Sequence, residues 1–323
     1  MDAAFPLDTV RAMPKAELHV HLEGTVDAAT VLTLAQRHGL RPPADDVEGV
    51  ERWFRFDGFP MFLDRYFTVL DLLRDPDDFA LAAERYLDIA VAQGVVHVEF
   101  HVSATGHVVE HAKRWGPIHD GIVEGCSRAA SRSGVSWGLI PDISPHLSAV
   151  DCRAAMDEVF AHGTEHLVAI GMGGPADTWT TDDFGAIYAT ARDHGLPGVS
   201  HAAEHGGPDE VRFAVEQFDV VRIQHGIGVM SDPEVVSLLV EGCPVRRVSR
   251  IEPGPARGGI GGRPSVAGDA RCGHHRHAGN RRSTDVPDES PGRIRTGLAM
   301  VRARSGGNHC ARPQLDRAQL CGA

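Results

Sequence analysis

Pro14-Lys15-Ala16-Glu17-Leu18-His19-Val20-His21-Leu22-Glu23-Gly24 is the stretch on which the fold turns. Its apolar and polar residues alternate as they do along a β-strand. Successive strand side chains point to opposite faces, so His19 and His21 share one. Two imidazoles on one face, near a strand end, can grip a single divalent ion. Water acidified by such an ion is a hydrolytic nucleophile at neutral pH.

Working outward, strands and helices alternate through residues 1–244. Strands are predicted at 16–23, 95–102, 135–143, 166–171, 196–201 and 220–225. Helices are predicted at 28–38, 57–73, 76–93, 118–133, 152–161, 182–194, 209–217 and 233–241. Short apolar strands spaced by helices build parallel sheets. Such a run, heading for a seventh strand, points to an α/β fold of the (β/α)8 TIM-barrel type rather than to an open sheet. Polar residues gather where such a barrel keeps its chemistry, at the C-terminal strand ends. Strand one ends in His19, His21 and Glu23, and strand four in Gly171-Met172-Gly173-Gly174-Pro175. Strand five ends in His201-Ala202-Ala203-Glu204, and strand six in Arg222-Ile223-Gln224-His225-Gly226. Three strand ends supply imidazoles, and one adds a carboxylate three residues after its histidine.

The composition is that of a chain with a full core, 42% hydrophobic over 323 residues. No apolar run reaches membrane-spanning length, and Met1–Pro6 opens no leader pattern, so a cytoplasmic protein is expected. The six cysteines are scattered, as free thiols in a reducing compartment are. The net charge of −12 hides a break. Residues 1–244 carry 17 basic and 38 acidic side chains, and all 19 aromatic residues. Residues 245–323 carry 15 Arg against 6 acidic residues, and no Phe, Tyr or Trp. Such a segment cannot build an ordinary core. Two regions are therefore expected: a barrel at 1–244 and an aberrant Arg/Gly-rich, disordered tail at 245–323. Without aromatic residues to stack on bases, the basic tail does not indicate a nucleic-acid partner.

The motifs His19–Gly24 (H-V-H-L-E-G), His201–Glu204 (H-A-A-E, with Gly207-Pro208 following) and Arg222–Gly226 (R-I-Q-H-G) resemble those of the adenosine deaminase family. That family belongs to the metal-dependent amidohydrolase superfamily, and the resemblance runs from about Met13 to Pro244. It implies that His19, His21 and His201 bind one Zn²⁺. It implies that Glu204 protonates the purine ring at N1 and that His225 orients and helps deprotonate the attacking water. It also implies that the backbone of Gly174 meets the purine and that Glu23 faces the sugar side of the substrate. The implied reaction is hydrolysis of a 6-aminopurine nucleoside, adenosine to inosine and ammonia. Adenine, or a modified adenosine such as aminodeoxyfutalosine, is the alternative, and a non-catalytic relic is another. The implied partner is a small purine, with no nucleic acid and no membrane. The oligomeric state is left open. The chemistry is coherent: metal activates the water, a carboxylic acid protonates the ring nitrogen, and a neutral imidazole takes the water's proton.

The chain departs from the family pattern in three places. Ala203 replaces the usual Gly of H-A-G-E, and Gln224 the usual Gly of R-I-G-H-G. The family's T-D-D-P, which supplies a zinc-ligating Asp and a purine-contacting Asp, is absent. The nearest string is Ser283-Thr284-Asp285-Val286-Pro287-Asp288. Written back into codons and read from the second base, His274–Pro287 admits I-T-V-T-P-A-T-D-D-P-P-T-F. A shifted reading frame after about residue 244 is expected from this, with strands seven and eight disrupted and activity impaired. A two-metal amidohydrolase is disfavoured: its bridging carboxylated lysine has no counterpart among Lys15 and Lys113.

Overall fold

The computed structural model describes residues 7–174, 181–241 and 247–249. The expected tail lies outside the described residues apart from 247–249, as do Pro175, Cys243 and the Ser283–Asp288 string. In chain order the elements begin with α1 (Leu7–Ala12), β1 (Lys15–His21), α2 (Ala28–Arg37), α3 (Val47–Trp53), α4 (Phe59–Leu72) and α5 (Pro76–Val91). They continue with β2 (Val95–Val102), α6 (Trp115–Ser133), β3 (Ser136–Ile143), α7 (Ala149–His162), β4 (Gly171–Met172) and α8 (Thr181–Asp193). The last are β5 (Val199–Ala202), α9 (Pro208–Phe218), β6 (Arg222–His225), α10 (Pro233–Glu241) and β7 (Arg247–Ser249).

Every strand pairing is parallel, in the order β1-β2-β3-β4 and β5-β6-β7. A bridge between Ile170 and Gly198 joins the two runs. The sheet is that of an incomplete TIM-type barrel, as expected. Among the described residues no eighth strand closes β7 onto β1. The predicted fourth strand shrinks to two residues, because His166 turns into the left-handed region (φ 64°) and only single bridges form before Gly171. The chain after His21 also differs from the strand predicted to Glu23. It coils into a 3-10 turn at Leu22–Thr25, which takes Glu23 off the alternation of His19 and His21.

Helices form where caps and stripes direct them. Asp27 caps α2 by accepting from Thr30 N, and Asp75 with Asp78 forms a capping box ahead of Pro76 in α5. The helices α5 and α6 close tightly because Gly121 and Gly125 face Pro76 and Ala80. A Cβ at either glycine would lie 2.2 Å from a carbonyl oxygen. The core between helices and sheet is filled by Phe79, Phe100, Trp115, Tyr188 and Phe218. Each such ring contributes roughly 1.5–3 kcal/mol by leaving water. Inside the barrel, Arg222 of β6 meets Glu99 of β2 at 2.5 Å, and Gln224 Nε2 reaches the Leu18 carbonyl at 3.5 Å. Cys126 and Cys152 are free and buried, and burial raises both thiols, Cys152 to about 11. No helix among the described residues is long and apolar enough to cross a membrane.

Candidate metal and catalytic site

The strand alternation of β1 sends both its imidazoles toward the barrel mouth, and β5 brings His201 to meet them. The three Nε2 atoms form a small triangle. His19 and His201 stand 2.8 Å apart, His21 and His201 2.9 Å, and His19 and His21 3.2 Å. His201 Nδ1 lies 2.7 Å from the Met172 carbonyl, which can only accept. That bond fixes the proton on Nδ1 and leaves Nε2 a bare lone pair. Gly173 lets the loop press against the ring, since a Cβ there would lie 3.2 Å from His201 Cε1. Gly174 follows at φ 127°, a conformation that favours glycine.

Three ring nitrogens within 3.2 Å of one another converge on one point. A cation at the triangle can satisfy all three, and nitrogen ligands at about 2.0–2.1 Å suit zinc. Burial holds the His19 and His201 imidazoles far below their ordinary range, with the neighbouring imidazoles adding to it. Burial likewise lowers His21 to about 4. All three are neutral at pH 7, the form that ligates metal. The donor set therefore fits the zinc ion that the motifs imply.

His225 closes the opposite side. It ends β6 at φ 66°, and its ring centroid is 4.9 Å from that of His19 and 5.3 Å from that of His201. Its Nε2 lies 3.4 Å from Glu204 Oε2, whose side chain is 30% exposed at the mouth. The turn carrying Glu204 is held by the Ala203 amide, which donates to Glu210 Oε2 at 2.7 Å. The structure thus brings His19, His21, His201, His225 and Glu204 together, with the Gly173-Gly174 loop against His201.

Glu23 sits apart, fully buried. Its carboxylate accepts from the Ser103 amide at 2.8 Å, from His107 Nε2 at 3.0 Å and from the Tyr66 hydroxyl at 3.1 Å. Lys113 Nζ donates in turn to His107 Nδ1 at 3.0 Å. Burial raises Glu23, but the His107 and backbone hydrogen bonds outweigh it and hold the acid below its usual range. A narrow pocket lies alongside, lined by Glu23, Phe54, Phe56, Phe62, Arg65 and Tyr66.

Motif spacing in the sequence points to neither His101 nor Asp142, yet both stand at the site. His101 Nδ1 donates to Asp142 Oδ1 at 2.8 Å, and Gln224 Nε2 donates to His101 Nε2 at 3.0 Å. Asp142 also lies 3.7 Å from His21 Nδ1. Burial lifts Asp142 to about 8, opposed by His21 and aided by Glu23, while burial lowers His101 to about 3. An acid at the C-terminal end of the apolar run Trp137–Ile143 was the available signal. Gln224 lies fully buried beneath the imidazoles, against His101, so its bulk fills the barrel interior.

A parallel barrel with an imidazole triangle at its C-terminal strand ends, flanked by a carboxylate and a fourth imidazole, defines a metal-dependent hydrolase. The sequence model described as Adenosine deaminase matches residues 14–245. The chain belongs to the adenosine deaminase family, hydrolytic deaminases of the metal-dependent amidohydrolase superfamily. It is 33% identical over 240 residues to an adenine deaminase from Rhodospirillum rubrum, covering 74% of this chain and 70% of that one. It is 34% identical over 244 residues to an aminodeoxyfutalosine deaminase from Acidothermus cellulolyticus, covering 72% and 67%. A solved amidohydrolase from Burkholderia ambifaria, with bound zinc, superposes with a TM-score of 0.66 at 30% identity, over 73% of this chain and 65% of that one.

Proposed function

We propose that this chain is built for the hydrolytic deamination of a 6-aminopurine, with the free base adenine as preferred substrate. The observation that carries the reading is the triangle of His19, His21 and His201 Nε2 atoms faced by His225 and Glu204. The three imidazoles hold one zinc ion, a reading supported by the zinc-bound relative. When bound, zinc supplies the acidity that makes water a nucleophile at neutral pH. His225 orients that water and accepts its proton. Glu204 delivers a proton to the ring nitrogen beside C6, which disperses the charge as water adds there. The amine leaves C6 as ammonia, and the product is the 6-oxopurine. Gly174 presents backbone to the ring plane.

Adenine is preferred because Glu23 has both oxygens engaged by protein donors and offers little to a sugar hydroxyl. The aromatic side chains beside it, Phe54, Phe56, Phe62 and Tyr66, offer faces on which a flat base could stack, and one relative is named an adenine deaminase. Glu23 then acts by fixing Tyr66 and the α4 wall. The second reading is a purine substituted at N9, favoured by the relative named an aminodeoxyfutalosine deaminase. Ammonia release from adenine, adenosine and aminodeoxyfutalosine, measured side by side, separates them. A larger kcat/KM for adenosine than for adenine would reverse the preference. Glu204→Gln is expected to lower kcat by about 10²–10⁴-fold with zinc content unchanged, and unchanged kcat would remove the acid role.

The region from about residue 245 is, in this reading, translated in a shifted frame. The charge break, the loss of aromatic residues and the end of the family match at 245 fall together. The Asp-Asp pair of the eighth strand lies in the other frame, and the chain as written is impaired by its loss. The nucleotide sequence of codons 240–290, read with intact-mass spectrometry of the product, decides it.

A further inference from the structure

The imidazole triangle at the barrel mouth has a counterpart among the outer helices. His119 and Asp120 begin the second turn of α6, and His162 is the last residue of α7. His119 Nδ1 lies 3.1 Å from Asp120 Oδ1. His162 Nε2 lies 3.2 Å from His119 Nδ1 and 3.0 Å from the same Asp120 oxygen. These edges repeat the 2.8–3.2 Å spacing of the His19, His21 and His201 nitrogens.

The tautomer of His119 is set from its far side. Its Nε2 lies 3.1 Å from the Glu165 carbonyl oxygen, which can only accept, so Nε2 carries the proton. In the neutral ring Nδ1 is then a bare lone pair facing a carboxylate oxygen, another acceptor. Two acceptors at that distance need a proton or a cation between them. The single Nε2–H of His162 must serve both. The His162 ring has room because residue 116 is glycine: a Cβ there would lie 3.1 Å from His162 Nδ1. The His119 side chain is only 8% exposed, whereas His162 is 31% and Asp120 68% exposed, so the donors open to ions from solvent.

We propose that His119, Asp120 and His162 form a second divalent-metal site, separate from the deamination centre, that clamps α6 to the end of α7. Two imidazole nitrogens and one carboxylate oxygen select a borderline transition ion such as Zn²⁺, Co²⁺ or Ni²⁺ over Mg²⁺ or Ca²⁺, which take oxygen ligands. Water completes the coordination. The test is equilibrium dialysis of the untagged full chain against micromolar Zn²⁺, with bound metal counted by elemental analysis. His162→Gln is expected to bind one equivalent less per chain than the wild type, with ammonia release unchanged. It is also expected to gain less in unfolding midpoint when Zn²⁺ is added. The reading is a difference, so it holds whatever the barrel mouth or the tail binds. Equal metal content in wild type and variant overturns the site. Should His162→Gln fail to fold, Asp120→Asn carries the same comparison from a more exposed position.

Discussion

Ala203 sits at φ 53° with its methyl buried, immediately before Glu204. A non-glycine residue in the left-handed region costs roughly 1–2 kcal/mol. The strain persists because its amide is bound by Glu210, and its carbonyl accepts from Ile227 N at 3.0 Å. Ala203→Val, with a branched Cβ, is expected to lose about 2 kcal/mol or more in thermal unfolding. Ala203→Gly is expected to stay within about 1 kcal/mol. Equal stability of the valine variant would show that the turn carries no strain. At this scale the convergence of His19, His21, His201, Glu204 and His225 was legible, since their motifs fall at neighbouring strand ends. It was not legible for Glu23 as an enclosed anchor, because its partners Tyr66, Ser103 and His107 are remote in sequence. Glu23→Gln is expected to lose about 1–3 kcal/mol by leaving a buried partner unsatisfied, together with a rise in KM as α4 loosens. A variant with wild-type Tm and KM would count against the anchoring role.

At the scale of elements, one carboxylate joins the end of α2 to the start of α5. Asp78 is fully buried and accepts from the Arg74 and Asp75 amides at 2.9 Å, from His38 Nε2 at 2.7 Å and from Arg37 Nη1 at 2.5 Å. Burial raises its acid, but the two amides, His38 and Arg37 outweigh that and hold it below its ordinary value. A lowered pKa in the fold means stability that is present above the unfolded value, near 3.9, and lost as pH falls through the folded one. Asp78→Asn is therefore expected to cost about 2–3 kcal/mol at pH 7. The gap to wild type should narrow as the pH drops below about 3.9. A constant gap in urea titrations across that range would mean the charge is not what is lost. The helix beginning at Pro76 was legible in the sequence. Its tie to Arg37 and His38 did not show, because capping chemistry is local and the contact between helices is not.

Over the whole molecule, alternating strands and helices gave the barrel class from sequence alone, since the two periodicities differ. Strand lengths were less legible: β4 to β6 pair over two to four residues, where apolar runs suggested six. An apolar run marks burial, and burial here continues past the hydrogen-bonded ladder. Re-expression with the frame restored after codon 244 is expected to raise metal affinity by about 10–100-fold, measured by chelator competition, and to raise the unfolding midpoint. No gain in either would remove the frame argument.

The Arg222–Glu99 pair and the Gln224 reach to Leu18 link β6 with β2 and β1 across the barrel interior. They act as struts that hold the late strand β6 at a set spacing from the two earliest strands, so the mouth keeps its width without help from the sheet ladder.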